Sequence, residues 1–123
     1  MLNSNCITLN NNLADVKKLL WSGNVTGGFI YFDTRYYNTY EIYIEDGCLL
    51  RGVKYYDAVS EKNIISAGAT KLIYDGTNFA PGLYFILADC YDDHIYIQEN
   101  YLYTPTDNGK YTSKTICDIY GVI

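Results

Sequence analysis

Apolar positions along the chain follow two kinds of spacing, and each spacing predicts an element. Leu13, Val16, Leu19 and Leu20 recur at helical intervals just after Asn10, Asn11 and Asn12. Asn12 can accept first-turn amides and Asp15 suits the positive end of a helix dipole, so a short amphipathic helix is expected as far as Ser22 and Gly23. Trp21 at its end is expected to plug the core or an interface. From Thr26 the spacing changes. Gly27 and Gly28 lead into Phe29, Ile30, Tyr31 and Phe32, a continuous β-prone run that reads as a well-buried strand. A polar loop from Asp33 to Asn38 follows.

Next come two β-prone segments, Tyr40 to Glu45 and Cys48 to Val53, joined by Asp46-Gly47. That pair suits a two-residue type I′ hairpin turn, in which both residues need positive φ. Asp57 then offers a cap for a second short helix through Ala58, Val59, Ser60 and Glu61, with Ile64 and Ile65 completing its apolar face and Gly68 as a stop. Thr70 to Tyr74 reads as a strand closed by Asp75-Gly76, and the segment from Asp75 to Pro81 as a mid-domain connection, with Pro81-Gly82 a further break. Leu83 to Ala88 is expected as a strand, Cys90 to Asp93 as a turn, and His94 to Gln98 and Tyr101 to Thr104 as two more strands. A helical pattern from Ser113 to Tyr120 ends the chain.

The order strand, hairpin, helix therefore occurs twice, at about 26–74 and 82–123. Sliding the chain along itself lays Ile42, Tyr43, Ile44 and Leu49 onto Ile95, Tyr96, Ile97 and Leu102, with Asp46-Gly47 over Glu99-Asn100. Internal duplication stands here against coincidence in a chain rich in Ile and Tyr. The fold expected is α+β in a single domain over 1–123: a small mixed or antiparallel sheet of two strand-hairpin-helix units, with two or three short helices packed mainly on one face.

Composition narrows the function. With 123 residues, 49% hydrophobic and 19% charged, the chain can bury one core. Its 15 tyrosines favour sheet and leave polar tips in need of partners. A net charge of -5 gives no general attraction to a phosphate backbone, so nucleic acid is not an expected partner. The carboxylates are dispersed, which leaves mimicry of nucleic acid as a minor alternative. No apolar run nears the roughly 20 residues that span a bilayer, and Met1 to Asn12 lacks the basic start and apolar stretch of a secretory leader. No membrane association is expected, and the expected compartment is cytoplasmic. Cys6, Cys48, Cys90 and Cys117 are scattered without a close pair, which argues against zinc and favours buried free thiols, with disulfides as the alternative.

The chemically densest stretch is Asp89, Cys90, Asp92, Asp93 and His94. Neighbours along a turn and strand point in alternating directions, so a solvated acidic turn is expected there and not a metal site. The calcium-loop spacing is also missing. With one histidine and no GxSxG, HExxH, phosphate-loop or dinucleotide signature, no catalytic residue, cofactor or metal is expected. Gly27-Gly28 leads into a strand, whereas phosphate cradles lead into a helix.

The stretch LADVKKLLWSGNVTGGFIYF, followed by YEIYIEDGCLLRGV, resembles the PATAN-type domain of prokaryotic signalling proteins. The resemblance rests on Leu13, Asp15, Leu19, Leu20, Ser22, Thr26, Gly27, Ile44, Glu45, Asp46 and Gly47, and covers Asn12 to Tyr74. It implies a non-catalytic interaction or scaffolding module in a regulatory system and supplies no catalytic residues.

Tyr36, Tyr37, Tyr55 and Tyr56 fall in loops or strand ends, where exposed tyrosine offers contact area at low entropic cost; with Trp21 they are the candidate interface. The expected function is a non-catalytic protein-protein interaction or adaptor module, probing a protein partner and self-associating as a homo-oligomer. The alternatives are a small viral or host-defence inhibitor that blocks one target, and a cryptic small-ligand-binding domain.

Overall fold

A computed structural model describes residues 16–74, 76–105 and 109–123. Nine strands are found among them: β1 (Lys17–Val25), β2 (Gly28–Tyr31), β3 (Thr39–Ile44), β4 (Leu49–Asp57), β5 (Lys62–Tyr74), β6 (Phe79–Cys90), β7 (His94–Thr104), β8 (Lys110–Ser113) and β9 (Ile116–Val122). All pairings are antiparallel, in the order β1-β9-β3-β4-β5-β6-β7-β2, with β8 also on β7. No helix occurs among the described residues, so the α+β expectation gives way to an all-β fold.

Each expected helix fails for an identifiable reason. At the C-terminus, Ile116 and Ile119 are both in the core, three positions apart. The register steps from Ile44↔Ile116 to Tyr43↔Asp118, so Cys117 is an extra residue in β9. A bulge of this kind converts the two-residue repeat of a strand into a spacing of three, which imitates a helix. In β1 the register steps from Leu19↔Tyr120 to Trp21↔Ile119, and both Leu20 and Trp21 pack against the core. The rest of that expected helix, residues 12–15, lies outside the described residues.

Asp57 does accept the backbone N–H (3.2 Å) and hydroxyl (2.6 Å) of Ser60, as a helix cap would. Glu61 then takes a φ of 57°, and the chain reverses so that Tyr55 faces Ile64 across β4 and β5. The local capping contact is the same in a turn and a helix; cross-strand pairing decides between them.

The later elements also merge. Thr70 to Tyr74 is the end of a 13-residue β5, and Pro81-Gly82 lies inside β6, where a break was expected. His94 to Gln98 and Tyr101 to Thr104 are one strand, β7, with a register shift opposite Leu87 and Ala88 where a turn at Glu99-Asn100 was expected. The positions matched by internal similarity thus fall in a hairpin in the first half and in a single strand in the second. The Asp46-Gly47 hairpin is present, but positive φ is confined to Gly47. Gly47 N–H donates to Ile44 O and Ile44 N–H to Cys48 O, the pattern of a type I turn followed by a glycine bulge.

The sheet must curl. β1 and β2 lie at opposite ends of the strand order, a path that would span ~34 Å if flat. Yet only Thr26 and Gly27 separate them, a gap that chain geometry limits to ~11 Å. The two behave as one bent strand whose first part pairs with β9 and whose second part pairs with β7, and the result is a nearly closed barrel. Gly28, with φ of 85°, makes the corner. Buried Asn100 spans the seam by donating to the carbonyls of Thr26 and Lys114.

Inside the barrel, alternate residues interlock: Ile30, Ile42, Leu50, Ile65, Ile86, Ile95, Ile116 and Ile119 are almost wholly buried. β-branched Ile suits such a surface. Two buried tyrosines close opposite ends, each with its hydroxyl satisfied. Tyr40 donates to Thr34 O (3.0 Å), and Tyr84 donates to Asp46 Oδ2 (2.6 Å) at the hairpin turn.

Candidate functional site

The outer face of β2, β6 and β7 carries the densest group of side chains turned away from the core. Register creates it. Phe29 on β2 faces Tyr96 on β7, which faces Asp89 on β6. One step along, Tyr31 faces His94, whose carbonyl accepts the Tyr91 amide (2.9 Å). Because Ile30, Ile95 and Ile97 fill the interior, alternation sends Phe29, Tyr31, His94, Tyr96 and Gln98 outward.

These rings touch around His94. Tyr91 stacks on it at 4.6 Å between centroids, Tyr31 approaches to 5.2 Å and Phe29 to 5.6 Å, while Phe29 and Tyr96 meet at 4.8 Å. Despite these contacts Phe29 and Tyr31 remain 57% and 64% exposed, so the face costs apolar hydration in the isolated chain. Asp93 holds the histidine from outside, with Oδ1 2.7 Å from Nδ1, and that hydrogen bond keeps the Asp93 carboxyl below its ordinary value.

Beside the rings lies an open cleft of about 440 Å³, walled by Phe29, Tyr91, His94 and Tyr96 and floored by Lys62, Asp89 and Gln98. The mostly buried Asp89 carboxylate accepts Lys62 Nζ at 3.3 Å and Gln98 Nε2 at 2.9 Å. Tyr31 also borders a second cleft lined by Asp33, Arg35, Asp92 and Asp93. There Arg35 donates twice through its guanidinium to Asp33 and holds that carboxyl down at about 2.

The sequence singled out Asp89, Cys90, Asp92, Asp93 and His94, and the barrel separates them. Cys90 points into the core, where burial pushes its thiol up, while His94 lies on the outer face. Asp89 is engaged with Lys62 and Gln98, and Asp93 with His94. Among the described residues no three His, Cys, Asp or Glu side chains converge as metal ligands would. Cys48, Cys90 and Cys117 are free thiols, and Cys6 lies outside the described residues.

The candidate interface residues are dispersed. Tyr36 projects from the 33–38 loop with the Arg35 guanidinium 5.2 Å from its ring, whereas Tyr37 turns inward against Tyr40. Tyr55 and Tyr56 are exposed at the far end of β4, and Trp21 is half-buried against the core. Phe29, Tyr31, Tyr91 and Tyr96 were not singled out, because the run from Phe29 to Phe32 reads as uniformly apolar. The available signal was alternation: aromatic residues at 29 and 31 flank Ile30, and His94, Tyr96 and Gln98 flank Ile95 and Ile97.

A third feature is an arm. β4 pairs with β5 only as far as Gly68, and β7 pairs with β6 only from Leu83, so Lys71–Tyr74 and Phe79–Gly82 pair solely with each other. Leu72, Tyr74 and Phe79 are exposed on it. No helix among the described residues is long and apolar enough to cross a membrane. No protein-family model, curated protein or solved structure matches the chain.

Proposed function

We propose that the protein is a non-catalytic interaction or adaptor module, a rigid barrel that presents the aromatic face of β2, β6 and β7 to a binding partner. The observation that carries this reading is the exposure of Phe29 and Tyr31 while they stay in ring contact with His94 and Tyr96. Rings held in place by their neighbours lose little entropy on binding, and they release water when covered. The polar groups nearby are engaged with one another, an arrangement suited to recognition. A role in a regulatory system rests on the PATAN resemblance alone.

A second reading, self-association, is favoured by the arm. Among the described residues the outer edge of β5 from Ala69 to Tyr74 has no neighbouring strand, and an antiparallel edge can pair with the same edge of a second copy about a two-fold axis. β6 is the poorer edge because Pro81 lacks an N–H.

Affinity capture from the native lysate, with light scattering on the same protein, tests both readings. A partner retained by the wild type and lost by Phe29→Ala/Tyr31→Ala supports the aromatic face, whereas capture indifferent to that variant overturns it. A dimeric mass that becomes monomeric in Leu72→Ser/Phe79→Ser supports pairing through the arm; a monomeric wild type overturns it.

A further inference from the structure

The cleft beside His94 has a chemical character more specific than a sticky patch. One wall is a set of ring faces and edges, Phe29, Tyr91 and Tyr96, and the floor is a carboxylate flanked by an ammonium and an amide. A ligand that fills it must carry an apolar face and a polar edge within a few ångströms of each other.

Charge narrows the class. Lys62 is paired with Asp89, so the floor carries no excess cation for a phosphate or sulfate and no unpaired anion for an amine. The chain as a whole, at -5, would repel an anionic polymer. Backbone chemistry narrows it further. The polar floor lies on β5, β6 and β7, each paired on both sides here, so a peptide strand could add only along the outer edge of β2 and not over the floor itself. Recognition must use side chains. An apolar side chain pressed into the cleft would also strand the polar floor without water, at a cost that a hydroxylated ligand avoids.

We infer that this cleft binds a neutral pyranose unit of an oligosaccharide, an inference that rests on reading the aromatic face as a recognition surface. The C–H face of a pyranose carries partial positive charge and matches the negative face of an aromatic ring. Its vicinal hydroxyls each donate and accept. One can donate to the Asp89 carboxylate while its neighbour accepts from Lys62 or Gln98, so the donors and acceptor already gathered at 2.9 and 3.3 Å form a complementary set. The cleft is open along the sheet, which suits a unit within a longer chain.

The test is an array of neutral oligosaccharides of glucose, galactose, mannose and N-acetylglucosamine beside sulfated counterparts, probed with the full chain and followed by calorimetry on the hits. The expected result is binding to a neutral oligosaccharide that changes little with salt. Phe29→Ala and Gln98→Ala, both at exposed positions, should each weaken it by roughly tenfold while the melting temperature holds. Asp89→Asn should weaken it at least as much, its melting measured alongside because the residue is buried. No neutral oligosaccharide bound, binding only to sulfated sugars with steep salt dependence, or binding indifferent to Phe29 and Gln98 would each overturn the inference. If sugars fail but capture of a protein still depends on Phe29 and Tyr31, the glycan assignment falls and the recognition surface stands; if neither depends on them, both fall.

Discussion

Asp46 shows how one residue can serve two levels of structure. It sits in the β3–β4 turn, accepts the Tyr84 hydroxyl at 2.6 Å and faces Lys114 Nζ at 3.4 Å. Burial alone would raise its carboxyl, but the Tyr84 hydrogen bond and the Lys114 charge outweigh that and hold it below the ordinary 3.8. The same contact, with burial first, pushes the Tyr84 hydroxyl far up, so it stays a donor. A carboxyl depressed in the folded state contributes stability that is complete above its unfolded value and is lost as pH falls through the lower folded one. Thermal melts should therefore be level above about pH 5 and decline below the ordinary carboxylate range. Asp46→Asn should lose about 1 kcal/mol at neutral pH, allowing for solvent screening, and show a shallower acid decline; an unchanged acid slope would rule Asp46 out as a contributor. Asp46 was legible in the sequence as a turn residue. Its partner, 38 positions away, was not.

At the scale of elements, turns were more legible than the strands they join. The β3–β4 hairpin follows from Asp46-Gly47 between β-prone runs, but its turn places only Gly47 at positive φ, 80°. Gly47→Ala should cost about 1 kcal/mol in urea unfolding, and Gly47→Asn less, because Asn tolerates that conformation better; equal costs would mean that the strain lies elsewhere. Bulges explain most of what was misread. The extra residue at Cys117 puts Ile116 and Ile119 on one face, and the shift in β7 brings Asn100 inward after Ile97. A three-residue spacing carries no label saying which backbone produced it. The candidate site suffered similarly: a run read as wholly buried conceals the alternation that turns Phe29 and Tyr31 outward around Ile30.

The whole molecule depends on pairings between distant parts of the chain. β9 lies between β1 and β3, and Ser22 meets Asp118 across 96 positions, both in register and through a 2.6 Å hydrogen bond. A chain ending at Lys114 would leave β1 without its partner and expose the edge of β3, so it should lose cooperative unfolding and amide dispersion in NMR spectra; a truncated chain that still melted in one sharp transition would show that the barrel needs no closure by β9. What the sequence by itself determined was local: β-prone runs, the reversal at Asp46-Gly47 and the 33–38 loop. Helix or strand, where bulges fall, the curl of the sheet and the gathering of Phe29, Tyr31, Tyr91 and Tyr96 around His94 were decided only by the tertiary structure. The physical reason is that a strand's hydrogen bonds are completed by other strands, so its identity and register depend on partners that its own sequence does not specify.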